Sequence, residues 1–391
     1  SKLSSAMGSL FNLSGNSHRL WSKTAKPFPL SWESVRNASR QHGYAGALLR
    51  QQRAVAKLLE GRPLNIVVLG GSMTLGAECP TNWPKRLGEL FRELGYDVTV
   101  TNLAKYGTTS EWAAHQVHAW LRAGLAAADI VIIDYSINDD ASTPKQGGGI
   151  MDGPAYVQKA FKDLVAVLAS LPSKPAVMAT ESVHIGLWCD RKMFPGYQCG
   201  NCGTDIKEYY HWEAAKELEV PVFYYPAAVC ASGSMHWYDE KGRRNFEAHP
   251  GSMTHDLFAR AVLGSLLLQA RGVCDHGFTG ADFQPMRPSL EALCLSRPID
   301  SYSAFGGEAR FAPVARNGSW TFGEDVPGKP GWLASSNGQS SDISFPITTK
   351  AGWVHVEFLG SYTADSSGGA AAGLGTVEVW LDESGGGGPG R

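Results

Sequence analysis

Between residues 60 and 270 the chain alternates short apolar, β-branched runs with longer segments whose apolar residues recur at helical spacing. The first run, residues 64–69 (LNIVVL), is bounded by Pro63 and Gly70 and reads as a buried strand. In residues 83–94 the apolar positions Leu87, Leu90, Phe91 and Leu94 lie on one helical face. Asn82 before that segment, Pro84 in its first turn and Gly95 just past it set the ends of a helix. The same alternation predicts strands at 97–102, 129–134, 176–180 and 220–225. The helices between and after them fall at 110–123 with Ser110 as cap, 154–171, 206–218 and 252–270, and a further helix at 44–59 leads into the first strand. Strands alternating with helices predict a parallel, doubly wound α/β sheet.

Near residue 300 the pattern changes. Residues 342–347, 354–359 and 376–381 alternate apolar and polar positions between stretches of Gly, Pro and Ser, which predicts a smaller C-terminal antiparallel β-domain. The expected organisation is an N-terminal extension (1–60), an α/β domain (61–272), a linker (273–304), a β-rich domain (305–383) and a Gly-rich tail (384–391). The chain starts at Ser1 without a Met or a signal-like run and ends in that tail, so it reads as a fragment or processed form.

With 391 residues, 43% of them hydrophobic and only 18% charged, there is material for two cores. Thirty-five basic residues against 37 acidic ones leave a formal charge of −2, which gives no footprint for nucleic acid or an anionic membrane. The basic run at 241–244 reads as a solvated loop. The longest apolar stretch, around residues 261–268, is shorter than the ~18 residues of a spanning helix, so no integral membrane segment is expected. Cys199 and Cys202 lie ten and thirteen residues after Cys189 in a Gly- and Pro-rich stretch. No second pair or nearby His has zinc-ligand spacing, so neither metal nor cofactor is expected; a loop-pinning disulfide and resting thiols both stay open. Sequons at Asn12, Asn37 and Asn317 lean toward a secretory or extracellular protein.

Open parallel sheets present ligands at the carboxyl ends of their strands. The loop after the first expected strand carries Gly70-Gly71-Ser72-Met73-Thr74, that after the second Asn102 and Gly107, and that after the third Ser136-Ile137-Asn138-Asp139; His249-Pro250 precedes the last helix. Ser72, Gly107, Asn138 and His249 are thereby expected around one crevice. These residue types suit acyl transfer. A serine hydroxyl attacks an acyl carbon, and a histidine takes its proton and returns it to the leaving alcohol. The backbone N–H groups of Ser72 and Gly107 and the amide of Asn138 are candidate donors to the oxyanion.

In these four blocks the chain resembles the SGNH, or GDSL-type, hydrolase superfamily, over roughly residues 64–268. The C-terminal part, with Lys329-Pro330-Gly331-Trp332 and Val377-Glu378-Val379-Trp380, resembles the β-extension of some algal and protist members. The resemblance implies a flavodoxin-like sheet and a cofactor-free serine esterase. Ser72 would be the nucleophile and His249 the general base, with Ser72, Gly107 and Asn138 forming the oxyanion hole. The implied substrate is an O-acylated glycan or another small acyl ester, with O-acyl transfer to a sugar and weakly catalytic glycan binding as alternatives. Two positions depart from the family pattern. Gly71 stands where Asp is usual, and Phe246 stands where the family places the acid, three residues before the histidine. Glu247 is one candidate acid, Asp239 a second, and a backbone carbonyl holding the ring a third. His255 is the competing histidine, expected inside the last helix. Trp188, Met193, Phe194 and Tyr197 are candidates to line an acyl or sugar pocket, and Trp320, Trp332 and Trp353 either pack the β-domain or bind carbohydrate.

Overall fold

A computed structural model describes residues 2–11, 28–40, 48–77, 79–139, 154–182, 206–230, 249–279, 312–324, 330–334 and 341–346. The chain divides into two compact units, Ser1–Pro298 and Ile299–Arg391. The first is built on strands β1 (Leu64–Gly70), β2 (Val98–Asn102), β3 (Ile130–Asp134), β4 (Ala176–Glu181) and β5 (Val222–Tyr224). They pair in parallel in the order β2-β1-β3-β4-β5, the flavodoxin-like order.

The period of two along each strand divides the core between the sheet's faces. Leu64, Ile66 and Val68 of β1 join Ile130 and Ile132 of β3 in one cluster, while Val67, Leu69, Val131 and Ile133 belong to the other. The first face is covered by α1 (Lys2–Ser9), α2 (Trp32–Arg40), α3 (Leu48–Leu59), α5 (Trp83–Glu93), α9 (Tyr225–Cys230) and α10 (Ser252–His276). The second is covered by α6 (Ser110–Trp120), α7 (Pro154–Ala169) and α8 (Ile206–Glu217). The remaining helix, α4 (Ser72–Leu75), is a single turn after β1.

Part of the N-terminal segment is core. Leu3, Ala6, Leu10, Leu30, Val35 and Ala38 are buried in the first cluster, and Leu10 and Val35 lie close against Gly264 of α10. Fully burying a leucine contributes about 1.5–3 kcal/mol, so these helices stabilise the domain through α10. Polar contacts fix the same place. Arg260 donates to the carbonyl of Leu10 and pairs with Asp256 at 2.8 Å, and Asp256 also accepts from Arg86 at 2.7 Å.

Helix α10 runs six residues beyond its expected end, to His276. It is 25 residues long, with mean hydropathy 1.3 over its most apolar 18-residue window, so by length and composition alone it could cross a membrane. The count of consecutive apolar residues missed this because Asp256 and Arg260 interrupt the run and neutralise each other within it. Two-thirds of that window (67%) is buried against the rest of the protein, which is the behaviour of a core helix.

Two further differences are local. The expected strand at 220–225 is three residues long and passes directly into α9, a short helix that the apolar pattern does not predict. The cap of α6 is Thr109, whose side chain accepts from the Trp112 N–H, rather than Ser110. Ser110 is the first helical residue, and its N–H donates to Asp139, 29 residues away.

In the second unit, β6 (Ala315–Asn317) pairs antiparallel with β9 (Asp342–Ser344), and β7 (Thr321–Glu324) with β8 (Pro330–Leu333). Trp332 packs edge-on against Phe322 at 5.4 Å and carries Arg316 over its ring. Trp353 and the alternating runs at 354–359 and 376–381 lie outside the described residues.

Candidate active site

The sheet order reverses at β1, which has β2 on one side and β3 on the other, and an open sheet has its crevice at such a point. Gly70 pairs with Asp134, so β1 and β3 end level with one another. Ser72, two residues past β1, and Asn138, four past β3, therefore emerge at the same edge. Ser72 is half-buried at the start of the α4 turn. Its Oγ lies 2.8 Å from Nε2 of His249, 177 residues along the chain.

The side chain of Asn138 lies flat against the Cα of Gly71. A Cβ at position 71 would sit 2.8–2.9 Å from its amide atoms, so Gly71 leaves room for the Asn138 amide next to Ser72. Gly107 has φ of +64°, where a side chain is strained, and is exposed. Its loop is fastened to the α4 turn that carries Ser72. Lys105 N–H donates to Gly70 O at 3.0 Å, and the Asn102 amide donates to Thr74 O at 3.1 Å. Among the described residues the N–H groups of Ser72 and Gly107 and the side-chain amide of Asn138 make no hydrogen bond to protein. Three donors stand unspent beside a serine that is hydrogen-bonded to a histidine.

This architecture is similar to the crystal structure of a two-domain esterase active on acetylated mannans, co-crystallized with mannopentaose. The TM-score is 0.50 at 17% identity, over 79% of this chain and 73% of that one. The chain has the SGNH hydrolase fold. A second structure of the mannan esterase gives a TM-score of 0.48 at 17% identity, covering 78% of this chain and 73% of that one. An acetyl xylan esterase gives 0.40 at 11% identity, covering 52% and 99%. No protein-family model matches the sequence, and no curated protein matches it.

Within this SGNH fold, His255 is separated from the hydrogen-bonded Ser72–His249 pair. It is buried in α10, and its Nδ1 accepts the Trp83 N–H at 3.2 Å. Burial, with a smaller contribution from the neighbouring His249, pushes its pKa down to about 3, so its ring stays neutral. For His249 Nε2 to accept a proton from Ser72, its N–H must sit on Nδ1. Glu247, Asp239 and Phe246 lie outside the described residues, as do Trp188, Met193, Phe194, Tyr197 and the cysteines at 189, 199 and 202. Among the described residues no cluster of His, Cys, Asp or Glu has the arrangement to hold a metal ion.

Beneath the SGNH crevice lies a buried polar layer in which Asp134, Glu181 and His211 belong to no motif in the sequence. Asp134, at the end of β3, accepts from Thr74 of the α4 turn at 2.7 Å, from the Trp83 indole at 3.2 Å and from Ser182 at 2.8 Å. Burial raises its pKa from 3.8 to about 6 against the pull of these donors, with the charge of Glu181 adding to the rise. The native state then holds a proton between pH 4 and 6 that the unfolded chain has released. Stability falls as pH rises through that window, by about 3 kcal/mol for this group once it is fully ionised. Asp134→Asn is expected to remove that part of the slope and to gain stability above pH 6. Urea denaturation of both proteins at pH 4.5 and pH 7.5 tests this, and an equal pH dependence in the two would exclude it.

His211 of α8 lies between two carboxylates, with Nε2 2.9 Å from Asp139 and Nδ1 2.9 Å from Glu181, and stacks on Phe161 at 4.9 Å. Burial alone would lower its pKa, but Glu181 and Asp139 outweigh burial and push it up to about 10. The ring is therefore an imidazolium in neutral solution. Its contribution to stability is complete below about pH 6.5 and is lost as pH rises through about 10.

Proposed function

We propose that this chain is a serine esterase that cleaves a carboxylic ester of an acylated glycan through an acyl-enzyme. The observation that carries the proposal is the 2.8 Å contact between Ser72 Oγ and His249 Nε2, beside three unspent hydrogen-bond donors. As Ser72 Oγ bonds to the ester carbon, its proton passes to His249 Nε2. The carbonyl oxygen becomes an oxyanion facing the N–H groups of Ser72 and Gly107 and the Asn138 amide. Collapse breaks the bond to the alcohol oxygen, which leaves with the proton from His249. Water then repeats the sequence on the acyl-enzyme, and the acid product departs. Glu247 is the proposed partner of the His249 ring.

The fold likeness to an esterase active on acetylated mannans supports an acylated polysaccharide as the substrate to test first. An extracellular setting is proposed with it, in keeping with the three sequons. The test is labelling with a fluorophosphonate, read by intact mass. One adduct on the wild type and none on Ser72→Ala is expected, followed by release of acid from acetylated mannan or xylan. A folded wild type that takes no adduct would overturn the esterase and leave a glycan-binding protein.

A further inference from the structure

The turn that presents Asn138 is short and closed on itself: the N–H groups of both Asn138 and Asp139 donate to the carbonyl of Tyr135. Ser136 Oγ accepts the Ser182 N–H at 3.1 Å near the start of the turn, and the Asp139 carboxylate ties its end to the Gly107 side of the crevice. One oxygen accepts the N–H of Ser110 at 2.9 Å, at the start of the helix that follows the Gly107 loop. The other faces Nε2 of His211. A single buried carboxylate thus joins the two loops that carry Gly107 and Asn138.

A neutral imidazole has one N–H, so it can satisfy only one of two ionised carboxylates. With Asp139 and Glu181 both ionised on opposite sides of the ring, both contacts are hydrogen bonds only if both ring nitrogens carry protons. His211 and Asp139 are buried, with 3% of each side chain exposed, so an unbalanced charge would have little water to relieve it. Position 211 therefore has a demand that packing alone does not impose.

We propose that His211 is a positioning residue for the oxyanion hole. As a buried cation it holds Asp139, and through Asp139 it keeps the Asn138 turn and the Gly107 loop in register with each other and with Ser72. This rests on the esterase reading of the site. Donors aimed at an oxyanion act on the transition state far more than on the bound ester, so disturbing their placement lowers kcat and spares KM.

The experiment compares wild type, His211→Ala, Asp139→Ala and Asp139→Asn by steady-state kinetics on a soluble aryl acetate, with melting curves alongside. His211→Ala and Asp139→Ala are each expected to lower kcat about 10²–10³-fold, the size of losing one oxyanion donor, with KM changed less than about threefold. Asp139→Ala covers the case in which His211→Ala fails to fold, because it leaves His211 paired with Glu181. Asp139→Asn is the rescue. Its carbonyl can accept from Ser110 and its NH₂ can donate to a neutral His211 that still donates to Glu181, so kcat is expected within about tenfold of wild type. Wild-type kcat in folded Asp139→Ala or His211→Ala overturns the positioning role while leaving the esterase intact. Equal kcat losses in Asp139→Asn and Asp139→Ala also overturn it, since geometry would then not be what the cluster supplies. Absence of Ser72-dependent turnover in the wild type is a separate failure, of the esterase reading, and takes this proposal with it.

Discussion

Ser72→Ala is expected to lower kcat on an aryl acetate by about 10⁴–10⁶-fold, and His249→Ala to fall in the same range. Their hydrogen bond of 2.8 Å makes them one device. A serine without its base keeps a proton it cannot lose during attack, and a base without its serine has nothing to activate. The double variant should therefore be no slower than the slower single one, because residues acting as a unit are non-additive. Multiplied losses in the double variant would mean that each residue works without the other. Both variants should melt close to wild type, since Ser72 and His249 are only partly buried and sit at the rim of the sheet.

The second large effect is expected at a residue with no chemistry of its own. Gly71→Ala should lower kcat about 10²–10³-fold by displacing the Asn138 amide, and Asn138→Ala should match it. Gly71 has φ of −88°, open to any residue, so the backbone offers no objection to alanine. The obstacle is the 2.8 Å approach between the new Cβ and the Asn138 amide. If this is right, Gly71→Ala and Asn138→Ala combined cost no more than Asn138→Ala alone, because both act on one donor. Full kcat in Gly71→Ala would show that the amide has room to yield and that the oxyanion is held elsewhere. The same contact gives a physical reason for glycine at this place, where the SGNH resemblance leads one to expect Asp.

The elements most legible in the sequence are those whose driving force is local. Ile66, Val67, Val68 and Leu69 of β1, with Ile130, Val131, Ile132 and Ile133 of β3, announce buried strands because apolar, mostly β-branched residues fill both faces of a covered parallel sheet. Asn82 announces a helix start because its side chain serves the Lys85 N–H three residues on. The cap falls at Thr109 rather than Ser110, a choice between adjacent hydroxyl residues that local composition does not make, and the partner of the Ser110 N–H is a carboxylate from another loop. Residues 2–11 and 28–40 read as an extension because their burial depends on α10, which lies more than two hundred positions downstream. Helix α8 gave no sign of function for a related reason. Its histidine takes meaning from Glu181, 30 residues before it, and Asp139, 72 residues before it.

By itself the sequence determined the alternation of strands and helices, the parallel sheet and the four blocks that put Ser72, Gly107 and Asn138 in the loops after β1, β2 and β3 and His249 just before α10. Periodicity, turn chemistry and residue type act over a few positions and survive in a linear string. Only the tertiary structure decided that His249 rather than His255 meets the serine, that Gly71 is shaped around Asn138, and that a buried cation sits beneath the crevice. Those outcomes depend on desolvation and on hydrogen-bond partners supplied by distant segments, and neither exists until the chain has folded.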